Sequence, residues 1–166
     1  MKIKRFEFLT NMIQTYGFKI GAEIGTGKGQ TAGYLFRHNP DLHLIEVSHY
    51  TSFARKPGDY TQLGKELWQK KVRKYKRRMT VLPYTSRETV SKVENESLDF
   101  VFIDADHSYK ECLWDIIHWM PKVKKGGLVS GHDFQDRFPG VKKAVREVFG
   151  DKFETAEDSV WYIWKK

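Results

Sequence analysis

The sequence has 166 residues, a single cysteine and a formal net charge of +8 at pH 7; that length suits one domain over 1–166 with one hydrophobic core, and is too short for an added substrate domain. Cys112 alone excludes an internal disulfide, no apolar run reaches bilayer-spanning length, and Glu7, Thr10 and Asn11 interrupt what would be the apolar stretch of a signal peptide after Lys2, Lys4 and Arg5. A soluble cytoplasmic protein is expected, and its charge excess is local: ten basic residues face two acidic ones between Arg55 and Arg78, and the remainder is neutral.

Phe6, Leu9 and Ile13 recur at helical spacing, which predicts an N-terminal helix over 3–16 that covers an edge or opening of a sheet and stops at Gly17. Residues 19–25, with Ile20, Ala22 and Ile24, predict a buried strand running into Gly25, Gly27 and Gly29. Thr31, Ala32, Leu35 and Phe36 then begin a helix that ends near Asn39-Pro40. Glycines at spacing two bare the backbone for a ligand, and the next helix N-terminus offers N–H groups to an anionic end. The turn departs from the dinucleotide pattern G-x-G-x-x-G, because its sixth position is Gln30.

Leu42–Val47 predicts the second strand, with Glu46 about 20 residues beyond the glycine turn, where a carboxylate can accept both ribose hydroxyls of a nucleoside; a solvated strand-end acid is the plainer reading. Residues 48–62, with Pro57-Gly58-Asp59, read as an unusually long loop. A helix follows, with Trp68, Val72, Tyr75 and Met79 on a core stripe and Lys70, Lys71, Arg73, Lys74, Arg77 and Arg78 off it. Such a basic face is either solvated or meets an anionic partner such as nucleic acid. Met79–Tyr84 predicts a third strand, and Thr85-Ser86-Arg87-Glu88 opens a helix to about Val93 that Thr85 or Ser86 can cap.

Leu98–Asp104, LDFVFID, predicts a central strand buried on both faces, with Asp104, Asp106 and His107 at its end. Ser108 and Glu111 read as a capping box for a helix with Leu113, Ile116, Ile117 and Met120 on one face, closed by Pro121 and Gly126-Gly127. Leu128–Ser130 begins the fifth strand, ending in Gly131-His132-Asp133. Pro139-Gly140 precedes a helix with Val141, Ala144, Val145, Val148 and Phe149 inward and Gly150 as its stop. Phe153–Glu157 and Val160–Trp164 alternate as an antiparallel edge pair.

Strands alternating with helices imply a parallel α/β sheet whose ligands bind beyond the C-terminal strand edge. Gly25–Gly29, Glu46, Ser86, Asp104–His107 and His132-Asp133 all follow strands and converge on that edge. Glu23, Gly25, Gly27 and Gly29 together resemble the first motif of the class I S-adenosylmethionine-dependent methyltransferases. FIDADHSYKE, PKVKKGGLVSGHDF, PGVKKAV and VWYIWK are similar to the small family within that class carrying the blocks I-D-x-D-H-S-Y and G-G-H-D-F/Y.

The resemblance implies a Rossmann-like seven-stranded methyltransferase sheet, mostly parallel with a C-terminal antiparallel hairpin and helices on both faces. It implies S-adenosylmethionine as cofactor, held by Glu23, Gly25, Thr26, Gly27, Gly29, Glu46, Val47, Thr85, Ser86 and Asp104, with Thr85 and Ser86 either facing the adenine or capping their helix. Methyl transfer to oxygen of a small phenolic or sugar acceptor is the expected activity. The same blocks are similar to metal-dependent O-methyltransferases, which implies a divalent ion, magnesium or manganese, at Asp104, His132 and Asp133. An imidazole among these ligands suits manganese or a softer ion better than magnesium. Asp104, His107 and His132 are the expected catalytic residues, the two histidines as bases because an unperturbed imidazole titrates near 6.5. The competing readings are a nucleic-acid methyltransferase using residues 55–78 and a non-catalytic binding module. A nicotinamide oxidoreductase would need the missing glycine. A second subunit, the N-terminal helix or the 48–62 loop is expected to complete the acceptor pocket.

Overall fold

The computed structural model describes residues 4–48 and 60–166. Most of the expected 48–62 loop, with Arg55 and Lys56 of the basic segment, lies outside the described residues. Helix α1 (Arg5–Tyr16) ends at Gly17, whose φ of 68° is the left-handed conformation that closes a helix. Strand β1 (Ile20–Ile24), helix α2 (Gln30–His38) and strand β2 (His43–Val47) follow. Beyond them come α3 (Tyr60–Val72), β3 (Met79–Leu82), the short α4 (Ser86–Thr89), β4 (Leu98–Ile103) and α5 (Tyr109–Trp119). Strand β5 (Val123–Gly131), α6 (Pro139–Phe149), β6 (Glu154–Ala156) and β7 (Val160–Trp164) complete the chain.

The seven strands form one sheet in the order β3-β2-β1-β4-β5-β7-β6. The first five are parallel, and β7 runs antiparallel to both β5 and β6. Alternation of side chains splits the core into two layers. Ala22, Ile24, Val101 and Val129 face Ile116, Trp119, Ala144 and Val145 of α5 and α6. Leu44, Phe100, Phe102 and Leu128 face Leu9, Leu35, Phe36, Trp68 and Val72 of α1, α2 and α3. Helices therefore cover both faces, and the central β4 is buried along nearly its whole length, as its unbroken apolar run requires.

The structure departs from the sequence reading at several element ends. The helix expected to carry Tyr75 and Met79 stops at Val72, residues 73–78 tighten into a 3-10 helix, and Met79 already belongs to β3. Arg78 explains the turn: its guanidinium donates to the carbonyls of Phe36, Asn39 and Leu42 at 2.8, 2.8 and 3.4 Å, satisfying the open C-terminal end of α2. The helix expected to reach Val93 has one α turn, followed by a 3-10 turn over Val90–Lys92. Ser108 and Glu111 form no capping box. Ser108 makes no side-chain cap, its N–H goes to Asp106 at 2.7 Å, and Glu111 pairs with Arg87 at 3.0 Å. The box is instead at Thr85 and Glu88.

Ile117 is 46% exposed, because Cys112, Ile116 and Trp119 define the inward stripe of α5 and Ile117 falls one residue round the helix. Strand β5 starts at Val123, upstream of the expected Leu128. A register shift opposite Leu98–Phe100 and a left-handed Gly126 accommodate the extra residues.

Candidate active site

Register brings the strand ends level. Ile24 pairs with Val47 on one side and Ile103 on the other, Ile103 pairs with Gly131, and Val47 pairs with Leu82. The ladder then continues one residue past each strand. Gly25 donates to Val47 at 3.0 Å, Asp104 to Ile24 at 2.8 Å and His132 to Ile103 at 3.0 Å, so the glycine turn, Asp104 and His132 emerge side by side.

The glycines of the turn answer different demands. At Gly25, φ is 94° and a Cβ would lie 2.1 Å from the Asp104 carbonyl oxygen, so only glycine lets β1 leave the sheet against β4. At Gly27 a Cβ would meet nothing within 4 Å. Its bare face opens on the space beyond the strand edge.

Glu23 and Glu46 stand opposite one another on β1 and β2, and both are buried. The Trp68 indole N–H donates to Glu46 Oε2 at 3.0 Å, while Glu46 Oε1 and Glu23 Oε2 have no hydrogen-bond partner among the described residues. Burial disfavours both charges. It raises the Glu46 carboxyl to about 7, against the lowering effects of Trp68 and Glu23, and raises Glu23 well above its ordinary range with help from the negative charges of Glu46 and Asp104. An unpaired buried carboxylate oxygen is costly unless a donor arrives. A small cavity of about 130 Å³ lined by Thr26, Glu46, Ser48, Trp68 and Pro83 adjoins it.

Thr85 accepts the Glu88 N–H and caps α4, while the Ser86 hydroxyl donates to Asp115 and accepts from the Trp119 indole at 2.6 Å. Ser86 thus ties α4 to α5. Val47 and Thr26 are buried at the same rim.

Beside the glycine turn lies a cluster of acids and imidazoles. His107 Nε2 is 2.8 Å from Asp133 Oδ2 and 3.9 Å from Asp104 Oδ1, and His132 Nδ1 is 3.2 Å from Asp133 Oδ1 and 3.9 Å from Asp104 Oδ1. Asp133 holds a left-handed backbone with φ of 61°, a conformation aspartate tolerates better than most residues and one that recurs at functional sites. Gln135 Nε2 fixes its carboxylate at 2.9 Å. Gly140 lets α6 approach the chain at His107–Tyr109, where a Cβ would come within 2.5 Å of the His107 carbonyl, and Phe138 packs its ring 4.3 Å from the His107 imidazole.

The charges reinforce one another. The Asp104 carboxylate and then Asp133 raise His107 to about 9 despite its partial burial. Partial burial works against ionisation of Asp133, but His107 and His132 outweigh it and hold that carboxyl well below its ordinary range. At neutral pH the cluster therefore holds an imidazolium against an aspartate.

A family profile described as a methyltransferase domain matches residues 22–134, spanning β1, the glycine turn and the Asp104–Asp133 cluster. The chain belongs to that family.

As a class I S-adenosylmethionine-dependent methyltransferase it has the expected sheet, and solved structures share it over nearly the whole chain. A Staphylococcus aureus protein assigned as a caffeoyl-CoA O-methyltransferase superposes with a TM-score of 0.72 at 16% identity, covering 97% of this chain and 82% of that one. A Bacillus cereus O-methyltransferase in complex with S-adenosylhomocysteine gives 0.68 at 15% identity, covering 97% and 80%. TomG, an O-methyltransferase of tomaymycin synthesis from Streptomyces achromogenes in complex with S-adenosylmethionine, gives 0.70 at 12%, covering 98% and 80%. At these identities the likeness is one of fold. No curated protein matches the sequence.

Two side chains of the methyltransferase rim escaped the sequence reading. Arg5 Nε sits 3.6 Å from Asp104 Oδ2, and Asp158, in the turn between β6 and β7, accepts the Arg5 backbone N–H at 3.0 Å and lies 3.7 Å from His132 Nε2. Only tertiary packing of α1 over the β6–β7 turn brings them there. Among the described residues, ligand atoms that all lie within 4.8 Å of one another belong to Asp104, His107 and Asp133, and His132 Nδ1 stands beside both aspartates at 3.9 and 3.2 Å. The left-handed turn at Asp133 aims one carboxylate oxygen at His107 and the other at His132. His107 Nε2 and Asp133 Oδ2 are 2.8 Å apart without a hydrogen-bond alignment, a spacing that two ligands of one ion also adopt. Two carboxylates and an imidazole fit a divalent ion of the manganese type. Among the described residues no helix is long and apolar enough to cross a membrane.

Proposed function

We propose that the methyltransferase binds S-adenosylmethionine along the rim from Glu46 to Asp104 and transfers its methyl to an oxygen of a small hydroxylated acceptor, phenolic or sugar. The observation that carries this reading is the contact of the glycine turn with the acid–imidazole cluster: Gly25 packs on the Asp104 backbone, and Asp104 in turn lies between His107 and His132. The O-methyltransferase neighbours support oxygen as the acceptor atom. In this reading Gly25–Gly29 cradle the amino-acid end and Glu46 takes the ribose hydroxyls. Glu23 supports Glu46 from the neighbouring strand.

In the reaction the sulfonium S–CH₃ bond breaks as the O–CH₃ bond forms in line, leaving a neutral thioether, with donor and acceptor about 3 Å apart before reaction. The acceptor proton must leave. In this reading the Asp104 and Asp133 carboxylates keep a proton on His107, which holds Asp133 ionised and leaves the role of base to His132. His132, whose Nε2 has no hydrogen-bond partner among the described residues, receives the proton, with Asp133 at 3.2 Å stabilising the imidazolium. A divalent ion held by Asp104, His107 and Asp133 would supply Lewis acidity that lowers the hydroxyl pKa, and His107 would give up its own proton to ligate it.

Transfer of labelled methyl from S-adenosylmethionine to a catechol and to a panel of nucleotide and free sugars, with and without chelator, tests the reading. Label on acceptor oxygen is expected. Label on no small hydroxyl compound contradicts it.

The raised Glu46 carboxyl gives a further consequence. Ribose hydroxyl donors favour the carboxylate, so below about pH 7 the ligand must displace a proton from Glu46. Affinity for S-adenosylhomocysteine is therefore expected to rise with pH, by about tenfold between pH 6 and pH 8, and to level off above that range. Glu46→Gln should flatten the profile in a calorimetric titration.

A further inference from the structure

A second, larger cleft of about 990 Å³ opens between α1, α2 and α3. Its walls carry Arg5, Arg37, Lys70, Lys71, Arg73 and Lys74, and among the described residues the only acid lining it is Asp158, which is engaged with Arg5. Arg37, Lys70, Arg73 and Lys74 are exposed, and none of the cations on α2 and α3 forms an ion pair with a carboxylate among the described residues. Arg78, by contrast, is spent on the end of α2. Of the local charge excess, Lys70, Lys71, Arg73 and Lys74 thus line this cleft and Arg78 serves the end of α2.

Two features link this cleft to the reaction. Arg5 and Asp158 lie in its wall and also 3.6 Å from Asp104 and 3.7 Å from His132, so the cleft adjoins the acid–imidazole cluster through these two side chains. Phe6 and Tyr34 meet in the same wall with ring centroids 4.5 Å apart, which offers an apolar platform among the cations.

We propose that this cleft holds the phosphate-bearing part of the methyl acceptor, so that the substrate is a phosphorylated or nucleotide-linked hydroxyl compound. A cleft lined by like charges with low-dielectric walls concentrates field and gathers anions, and guanidinium and ammonium groups together match phosphate oxygens. A concave cleft bounded by three helices, at a volume suited to a small molecule, favours this occupant over a nucleic-acid strand. The proposal rests on the O-methylation reading for the hydroxyl end of the acceptor and on the cleft alone for its anionic end.

Calorimetric titration with inorganic pyrophosphate, with and without saturating S-adenosylhomocysteine, separates the two. The intact protein should bind pyrophosphate in both conditions. Binding should weaken by at least about tenfold in the Lys70→Glu, Lys71→Glu, Lys74→Glu triple variant and by roughly threefold in Arg37→Glu, with S-adenosylhomocysteine affinity unchanged. Equal pyrophosphate affinity in wild type and both variants, or none in the wild type, overturns the proposal. Tight binding of a single-stranded RNA of about 20 nucleotides that pyrophosphate does not displace also overturns it, in favour of a nucleic-acid partner. Pyrophosphate binding without any S-adenosylhomocysteine binding leaves the cleft assignment standing and removes the donor reading instead.

Discussion

Asp133→Asn is expected to lower kcat by roughly 10³-fold while leaving S-adenosylhomocysteine affinity within about twofold of wild type. Asp133 lies 2.8 Å from His107 and 3.2 Å from His132, so after Asp104 its charge helps to hold one imidazole protonated, and it steadies the other as it accepts a proton. Asparagine keeps the left-handed backbone at φ of 61° with little strain, which separates the loss of charge from a loss of fold. Asp133→Ala should lose the same activity with a further fall in stability of about 1 kcal/mol, because alanine tolerates that conformation poorly. Steady-state kinetics beside calorimetry read both quantities. Cofactor binding that falls as far as turnover would contradict this division of labour.

Gly27→Val is expected to weaken S-adenosylmethionine binding by at least about 100-fold in a protein that still folds. The valine Cβ would meet no described protein atom within 4 Å. Its branched side chain would occupy the volume proposed for the amino-acid end of the cofactor. The left-handed φ of 45° adds a cost of about 1–2 kcal/mol, visible as a modest drop in Tm. Gly25→Val should behave differently. Its Cβ would collide with the Asp104 carbonyl, so loss of fold and loss of binding should come together. Thermal unfolding of both variants alongside a cofactor titration distinguishes a ligand-facing glycine from a packing one.

The sheet was legible in the chain because its strands and helices carry unambiguous periods. LDFVFID had to be central, and the Phe153–Glu157 and Val160–Trp164 pair had to close one side of the sheet as an antiparallel hairpin, with β6 at the edge and β7 inside it. Helix ends were less legible where tertiary partners decide them. Arg78 reaches three carbonyls some 40 residues earlier in the chain, and no local pattern announces that it will turn residues 73–78 into a tight 3-10 helix. Likewise Ser108-x-x-Glu111 had the letters of a capping box, but Asp106 took the Ser108 N–H and Arg87 took Glu111.

At the rim, the gathering of Glu46, Asp104, His132 and Asp133 followed from strand polarity alone, since parallel strands deliver their C-terminal residues to one edge. What strand polarity could not supply was orientation. The left-handed Asp133 brings His107 into the compact trio, and Arg5 arrives from the far N-terminal helix. Trp68 looked like one more core residue on a helical stripe. Its indole N–H, however, is the group that satisfies half of the buried Glu46 carboxylate.

The most direct test of the account is a crystal structure of the protein soaked with S-adenosylmethionine. Density is expected along the rim, with ribose hydroxyls on Glu46, the amino-acid end over Gly25–Gly29 and the methyl facing Asp104 and His132. A rim that stays empty at saturating ligand, or one that takes up a nicotinamide dinucleotide in its place, would contradict the account.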